Sequence, residues 1–486
     1  MKKWVLPGLC LAALYAWAYA PALHGDFLWD DNAHVSENIS MRSLHGLIQI
    51  WTEPGSSVQH YPLTFSAFWL EYHLWGLHVV PYHVTALGLH ALNALLFFLF
   101  LRRLSCPGAA FAAALFLLHP VHTESVAWIT EMKNQLSGTL FLLAGHAFWS
   151  GGFFYVASFV LFTMALLAKT AVCPWPIAMG LLLWARRRLT PTLGILLVPF
   201  VLLSVVSGLI TMRLEQHTYG AMGAGFDFSF LQRLANAARA VWFYLGKLVW
   251  PHPLIFMYPN WPKGIGGLAV LYLLALAGLT GVGIYAAKKG NRGPVTAWLY
   301  YLACLGPALG FFNMFTMNFT WVADHFQYMA SLGPIAIAAA SLTYGAQRLR
   351  LRSWICVSAA STVLVLLAFR THTEAYKYHD MKSLWLDTLA KNPACEMAEN
   401  NLAHHYYFFE NDPAQAEVHI RAAIALRPES KKYRLNLAKL LEDTGRLREA
   451  RAEYEKIVQL DPADVYVLER YKLFLLRHKE PSSRRG

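Results

Sequence analysis

The chain has 486 residues, 56% of them hydrophobic and only 14% charged, with a mean hydropathy of +0.35. That is too apolar for an ordinary soluble protein and points to a polytopic membrane protein carrying an additional domain. The formal net charge of +12 lies largely in short Lys/Arg clusters between apolar runs, the positive-inside pattern, so nucleic acid is not an expected partner. The six cysteines, Cys10, Cys106, Cys173, Cys304, Cys356 and Cys395, form no C-x-x-C pair. They indicate neither a disulfide framework nor a cysteine metal site.

The first residues, Met-Lys-Lys followed by an apolar run and Ala18-Tyr19-Ala20, imitate a signal peptide. Pro21 directly after that site disfavours cleavage, and an uncleaved first helix is expected. The stretch His24 to Tyr61 is different in kind, an acidic segment between apolar runs with Asp26, Asp30, Asp31 and Glu37. Two adjacent carboxylates behind Phe27-Leu28-Trp29 suggest acids held near a membrane surface, where partial desolvation raises a pKa into a useful range for base work. The structural alternative is an Asx turn or a helix N-cap at Asp30 or Asp31.

Apolar spans of about 17 to 24 residues, long enough to cross a bilayer, begin near Trp4, Tyr82, Pro107, Met132, Gly152, Val172, Pro191, Gly264, Pro294, Tyr328 and Ser353. The third and sixth are short. The clusters Lys2-Lys3, Arg102-Arg103, Arg186-Arg187-Arg188, Lys288-Lys289 with Arg292, and Arg348, Arg350 and Arg352 all fall on the cytoplasmic side provided that Leu231 to Trp250 does not cross. That stretch carries Arg233, Arg239 and Lys247 and suits an interfacial or re-entrant helix. About eleven crossings then place outside the Asp30-Asp31 loop, His119 to Lys133, the surroundings of Lys169, Arg213 to Lys263, Asn313 to His325 and everything after Arg370.

After Arg370 the composition becomes soluble and helical. Lys431 to Pro462 fits the tetratricopeptide template, with Leu437-Ala438, Gly445 at the turn, Ala450, Tyr454 and Pro462. About 34 residues earlier, one repeat length, Ala416, Ala423 and Pro428 give the second half of the same pattern. Such stacks commonly bind peptides or scaffold partners.

Several groups are expected to converge on the outer face. His119 and His122 with Glu124 could hold a divalent ion, magnesium or manganese, or could cap a short interfacial helix opened by Pro120. Lys133 and Lys169 stand at span ends, where they either snorkel to headgroups or join Arg239 and His325 in a cradle for a lipid phosphate. Phe27, Trp29 and Tyr258 could pack a sugar or a prenyl chain, although aromatic residues at an interface also form the ordinary belt.

The strings F-L-W-D-D-N, H-P-V-H-T-E-S-V-A-W-I, K-N-Q-L-S-G, A-K-T, W-F-Y-L-G-K-L-V-W-P, M-Y-P and A-D-H-F-Q-Y, in this order and followed by repeats, resemble the transmembrane and tetratricopeptide-repeat family in its bacterial form. That family groups with the C-type membrane glycosyltransferases and is related to protein O-mannosyltransferases. The resemblance implies an all-α polytopic domain over 1–370 and an extracytoplasmic repeat domain over 371–486, in the inner membrane of a bacterium. It implies a sugar donor linked to polyprenyl phosphate, a protein Ser/Thr or envelope glycan as acceptor, and an inverting transfer with Asp30-Asp31 as the catalytic acid motif. Ala323-Asp324-His325 has His where the animal members commonly carry Arg, and Asp324 joins Trp29 and Tyr258 as a substrate-binding candidate. The competing reading is a non-enzymatic membrane scaffold that recruits envelope partners through its repeats. A transporter fits less well, because the reactive charges gather at one surface instead of near the midplane.

Overall fold

The computed structural model describes residues 2–223, 226–261 and 266–478, and side chains from residue 5 onward. Gly264, where one span is expected to begin, and the Lys2 and Lys3 side chains lie outside the described residues. Among the described residues every regular element is helical, and the chain separates into two compact units, one ending at Asp380 and one starting at Met381.

In the first unit each expected span coincides with a helix. These are α1 Lys2–Tyr19, α4 Val79–Arg103, α5 Ala109–Leu118, α7 Met132–Ser150, α8 Phe154–Ala168, α9 Trp175–Ala185, α10 Pro191–His217, α12 Gly267–Lys288, α13 Gly293–Leu305, α14 Leu332–Arg348 and α15 Ser353–Ala375. Only five of the described stretches are long and apolar enough to cross a membrane by themselves, those built on α1, α4, α10, α12 and α15. The others fall short in length or in apolarity, as α5 and α7 illustrate. Pro120 restricts His119 to an extended conformation and ends α5 after ten residues. α7 carries Lys133, Asn134, Gln135, Ser137 and Thr139, all buried, so its polar side chains face protein instead of lipid.

The core of this unit runs through Phe97, Phe116, Phe162, Trp175, Phe200 and Tyr301. One close approach requires a glycine: Gly108 has φ +73, and a Cβ there would meet the Ala339 carbonyl at 2.7 Å, which lets α5 start directly against α14. The helix α11 Phe230–Val249 opens with a capping box in which Ser229 and Gln232 satisfy each other's backbone groups. It buries Ala235, Ala238, Val241 and Tyr244 on one face, carries Arg233, Arg239 and Lys247, and is not among the five apolar stretches. Between these helices lie α2 Leu44–Thr52, α3 Pro62–Trp75, the five-residue α6 Thr123–Ala127, and short turn-like helices at Asn32–Ser36, Ile129–Glu131, Thr170–Val172 and Asp324–Gln327.

The second unit stacks α16 Met381–Lys391, α17 Glu396–Phe408, α18 Pro413–Leu426, α19 Lys431–Asp443, α20 Leu447–Leu460 and α21 Val465–Arg477. Small residues at the helix crossings, Ala403, Ala416, Ala438 and Ala450, let the helices approach around Leu437, Leu441 and Tyr454. Gly445, at φ +77, makes the turn between α19 and α20.

Candidate functional site

The short helices Asn32–Ser36, Ile129–Glu131, Thr170–Val172 and Asp324–Gln327 bring side chains to one end of the bundle, where a cavity of about 890 Å3 opens. Its polar wall holds Asp30, Glu124, Glu131, Lys133, Lys169 and His325. It continues along α9 and α10 past Ile177, Val201, Val205, Leu209 and Met212, so a charged chamber leads into an apolar gallery. Glu215 and Tyr219, at the end of α10, stand on the rim.

Glu131 organises the charges. It is 1% exposed, and its Oε1 lies 3.0 Å from Lys133 Nζ and 3.8 Å from His325 Nε2. Its Oε2 lies 3.1 Å from Lys169 Nζ and accepts from Asn134 Nδ2 at 2.7 Å. Burial alone would raise its pKa, but His325 and the two lysines overcome that and hold the carboxyl well below the usual range. Lys169 also donates to Asn134 Oδ1 at 2.8 Å, and burial, partly offset by Glu131, lowers its pKa to about 8. Lys133 donates to Gln59 Oε1 at 3.0 Å. His325 Nδ1 lies 2.6 Å from Glu124 Oε1, and Glu124 Oε2 accepts the Asp324 backbone N–H at 3.1 Å.

The two neighbouring aspartates have different surroundings. Asp31 is fully buried and accepts three hydrogen bonds: Leu28 N–H at 2.8 Å, Thr130 N–H at 2.7 Å and Thr130 Oγ1–H at 2.5 Å. It ties the loop that follows α1 to the turn that carries Glu131, and burial pushes its pKa up to about 7 against those bonds. Asp30 is half-buried and lines the cavity. Burial raises its pKa to about 6, with Lys133 opposing and Glu131 assisting that rise. The turn between them and Leu28 is forced: Trp29 sits at φ +44, a left-handed conformation that costs a bulky residue about 1–3 kcal/mol. It is held there by stacking on Trp128 (ring centroids 5.8 Å apart) and by the edge of Phe256.

The other expected site residues are distributed unevenly. Trp29, Lys133, Lys169 and His325 share the cavity with Asp30, whereas Arg239 does not line it; its guanidinium lies over the Trp261 ring at 4.3 Å. Tyr258 and Asp324 stand behind the wall, with the Tyr258 hydroxyl donating to both Asp324 oxygens at 3.0 and 3.1 Å. Burial, with Glu124 assisting, raises the Asp324 pKa. His119, His122 and Glu124 do not assemble as a metal site. His119 Nε2 donates to the Leu248 carbonyl at 2.9 Å while Nδ1 accepts from Val121 N–H, leaving no lone pair for a cation. His122 packs against Phe116 and Tyr328, and both Glu124 oxygens are engaged as described. Among the described residues no group of three His, Cys, Asp or Glu side chains is placed to hold a metal ion.

Glu131, Gln59, Glu215 and His34 line the cavity without having been singled out in the sequence. Glu131 falls in the gap between two of the quoted strings. Its signal is an acid two residues before Lys133, at the mouth of an apolar run.

Residues 408–469 match the tetratricopeptide repeat family. Three animal proteins are similar over part of the chain. A protein O-mannosyl-transferase of Caenorhabditis elegans is 33% identical over 150 residues, 28% of this chain and 22% of that protein. Protein O-mannosyl-transferase Tmtc1 of Drosophila melanogaster is 33% identical over 137 residues, 26% of this chain and 16% of its own length. Human protein O-mannosyl-transferase TMTC4 is 31% identical over 151 residues, 26% of this chain and 20% of its own. The chain thus spans about a fifth of the length of the curated relatives it matches.

Proposed function

We propose that the chain is a membrane glycosyltransferase of an inner bacterial membrane that moves a hexose, foremost mannose, from a polyprenyl-phosphate donor to a Ser or Thr hydroxyl on the extracytoplasmic face. The observation that carries this reading is the single cavity in which Asp30 faces Lys133, Lys169 and His325 at the mouth of an apolar gallery. A prenyl chain fits the gallery, its phosphate meets the cations, and the anomeric carbon then lies toward Asp30. The relatives' names support the choice of mannose and of a protein acceptor.

In the proposed reaction Asp30 takes the proton of the acceptor hydroxyl as that oxygen attacks the anomeric carbon from the face opposite the phosphate. The bond from carbon to phosphate oxygen breaks, the configuration inverts, and polyprenyl phosphate leaves with a second negative charge. Lys133 and Lys169, fixed by Glu131, stabilise that charge where it develops. Asp31 holds the base loop in place and has no free lone pair directed at the substrate. His119, His122 and Glu124 do not fit a divalent ion, and no step runs through one. The repeats offer a concave surface for a protein acceptor.

The test is direct. The full-length protein in lipid nanodiscs, given polyprenyl-phosphate mannose and a Ser/Thr-containing peptide, should add one hexose by mass spectrometry. Absence of that mass shift at all donor concentrations would overturn the reading, and a chain that acts only as a scaffold would leave the peptide unmodified.

A further inference from the structure

A second cavity, of about 600 Å3, runs between α4, α9, α13 and α14 toward their basic ends. Phe97, Phe141, Trp175 and Leu332 are buried on its inner wall. The ring donors there are spent on backbone: Trp175 Nε1 donates to the Phe141 carbonyl at 3.0 Å and the Tyr300 hydroxyl to the Met329 carbonyl at 3.2 Å. An apolar cavity gives water too few partners to fill it. Its depth follows from α9, which walls it from Trp175 to Ala185, 11 residues or about 16 Å of helix. That is about half of the hydrocarbon thickness of a bilayer, the depth of one leaflet.

The mouth has the opposite chemistry. Arg186, Asn291, Ser341 and Tyr344 are exposed there, and among the described residues their side chains make no hydrogen bond or ion pair. The neighbouring arginines are engaged: Arg292 donates to the Trp184 carbonyl at 2.8 Å, Arg103 to the His146 carbonyl at 2.9 Å, and Arg188 lies over the Trp149 ring at 4.6 Å. The chain supplies no counter-charge, since residues 100–108, 185–190, 286–293 and 348–352 contain Arg or Lys and no Asp or Glu. An apolar slot one leaflet deep, beneath an uncommitted guanidinium in an uncompensated positive field, matches a phospholipid with net negative charge. A free anion would leave the slot empty, and a neutral lipid would leave the field uncompensated.

We infer that this cavity binds an anionic phospholipid of the leaflet at the basic ends, with one acyl chain between α4, α9, α13 and α14 and the phosphate on the Arg186 guanidinium. The inference stands apart from the transfer reading, because it uses none of the groups around Asp30.

The experiment places the full-length protein in phosphatidylcholine vesicles containing a small fraction of phosphatidylglycerol with a photoreactive diazirine near the end of one acyl chain. After irradiation, cross-linked residues are mapped by mass spectrometry, with labels on α12, which is exposed along most of its length, as the internal standard. Labels are expected on the cavity wall around Phe97 and Trp175, competed by unlabelled phosphatidylglycerol and not by added phosphatidylcholine. Arg186→Gln should lower them roughly fivefold, the effect of one basic residue at an anionic surface. Arg187→Gln, beside it but off the cavity, should change them by less than about twofold, because the phosphate makes no direct bond to it. Ala336→Phe, which fills the slot from α14, should remove them while labels on α12 persist. Labelling of α12 without the cavity, equal competition by phosphatidylcholine, or equal losses in the two arginine variants would overturn the site. Displacement by polyprenyl phosphate in preference to phosphatidylglycerol would overturn it as well, by giving the cavity to a prenyl chain.

Discussion

At the residue scale the adjacent aspartates divide their work by what surrounds them. Asp31 accepts three hydrogen bonds in a buried site, and an amide there would turn an N–H2 toward donors. Asp31→Asn should therefore lower stability by about 1–3 kcal/mol, read as a lower Tm in detergent. Asp30 has the cavity in front of it, so Asp30→Asn should leave Tm unchanged and reduce turnover by roughly 100- to 10,000-fold, the scale of a lost general base. Loss of stability in Asp30→Asn with full turnover would exchange the two roles. The same residues set a pH profile. The proposed base Asp30 acts only when ionised, so activity should rise as the pH passes about 6. In the proposed reaction Lys169 stabilises the leaving phosphate only when protonated, so activity should fall above about 8. A bell-shaped kcat/KM between these limits is expected, and Lys169→Arg should move only the alkaline limb upward, because a guanidinium stays charged.

At the element scale the sequence told more about where helices lie than about how they end. The apolar runs mark each of them, but run length alone suggested spans where α5, α9 and α13 stop at 10, 11 and 13 residues. Prolines at their ends, Pro120 after α5, Pro174 before α9 and Pro307 after α13, shorten them locally, and the turns that follow carry site residues only through the tertiary fold. The carboxylate pair and the two lysines were legible because charges beside apolar runs are conspicuous. Glu131 was not, since its importance comes from meeting Lys169 and His325, both distant in sequence. Arg239 looked equivalent to the other cations until the fold put it over Trp261. The gallery on α10 was equally invisible, as it depends on which face of an apolar helix is left open. Gly208 lines it, and a Cβ there would meet nothing within 4 Å. Gly208→Trp should fold, fill the gallery, and raise KM severalfold for a long-chain polyprenyl donor while sparing a short-chain one. Equal effects on both donors would place the prenyl chain elsewhere.

At the scale of the whole molecule, the ends of the helices sort by chemistry. α4 ends in Arg102-Arg103, α9 is followed by Arg186-Arg187-Arg188, and α12 and α14 end in Lys288 and Arg348. The opposite ends of α4, α7, α8 and α10 adjoin the turns of the cavity. A second, apolar cavity of about 600 Å3, bounded by Leu104, Cys106, Arg186, Asn291 and Tyr344, lies toward the basic ends. A bilayer imposes this polarity, since Lys and Arg are retained on the cytoplasmic side. The cavity proposed as the active site should therefore open outward, and α15, which starts beside Arg352, should deliver its far end and the chain beyond it to the outer side as well. This requires α11 to stay uncrossed, in keeping with its three cations and its position outside the five apolar stretches. An enzymatic reporter that works only outside the cytoplasm, fused beyond α21, should be active, and one fused in the Arg186 to Thr190 loop should be silent. The reverse pattern would put the site on the cytoplasmic face. Activity at both positions would mean that α11 or one of the short helices is miscounted. The discriminating measurement is then cysteine accessibility at the two ends of α11, which should label from the outside at both ends if the helix lies along the surface and at only one end if it crosses.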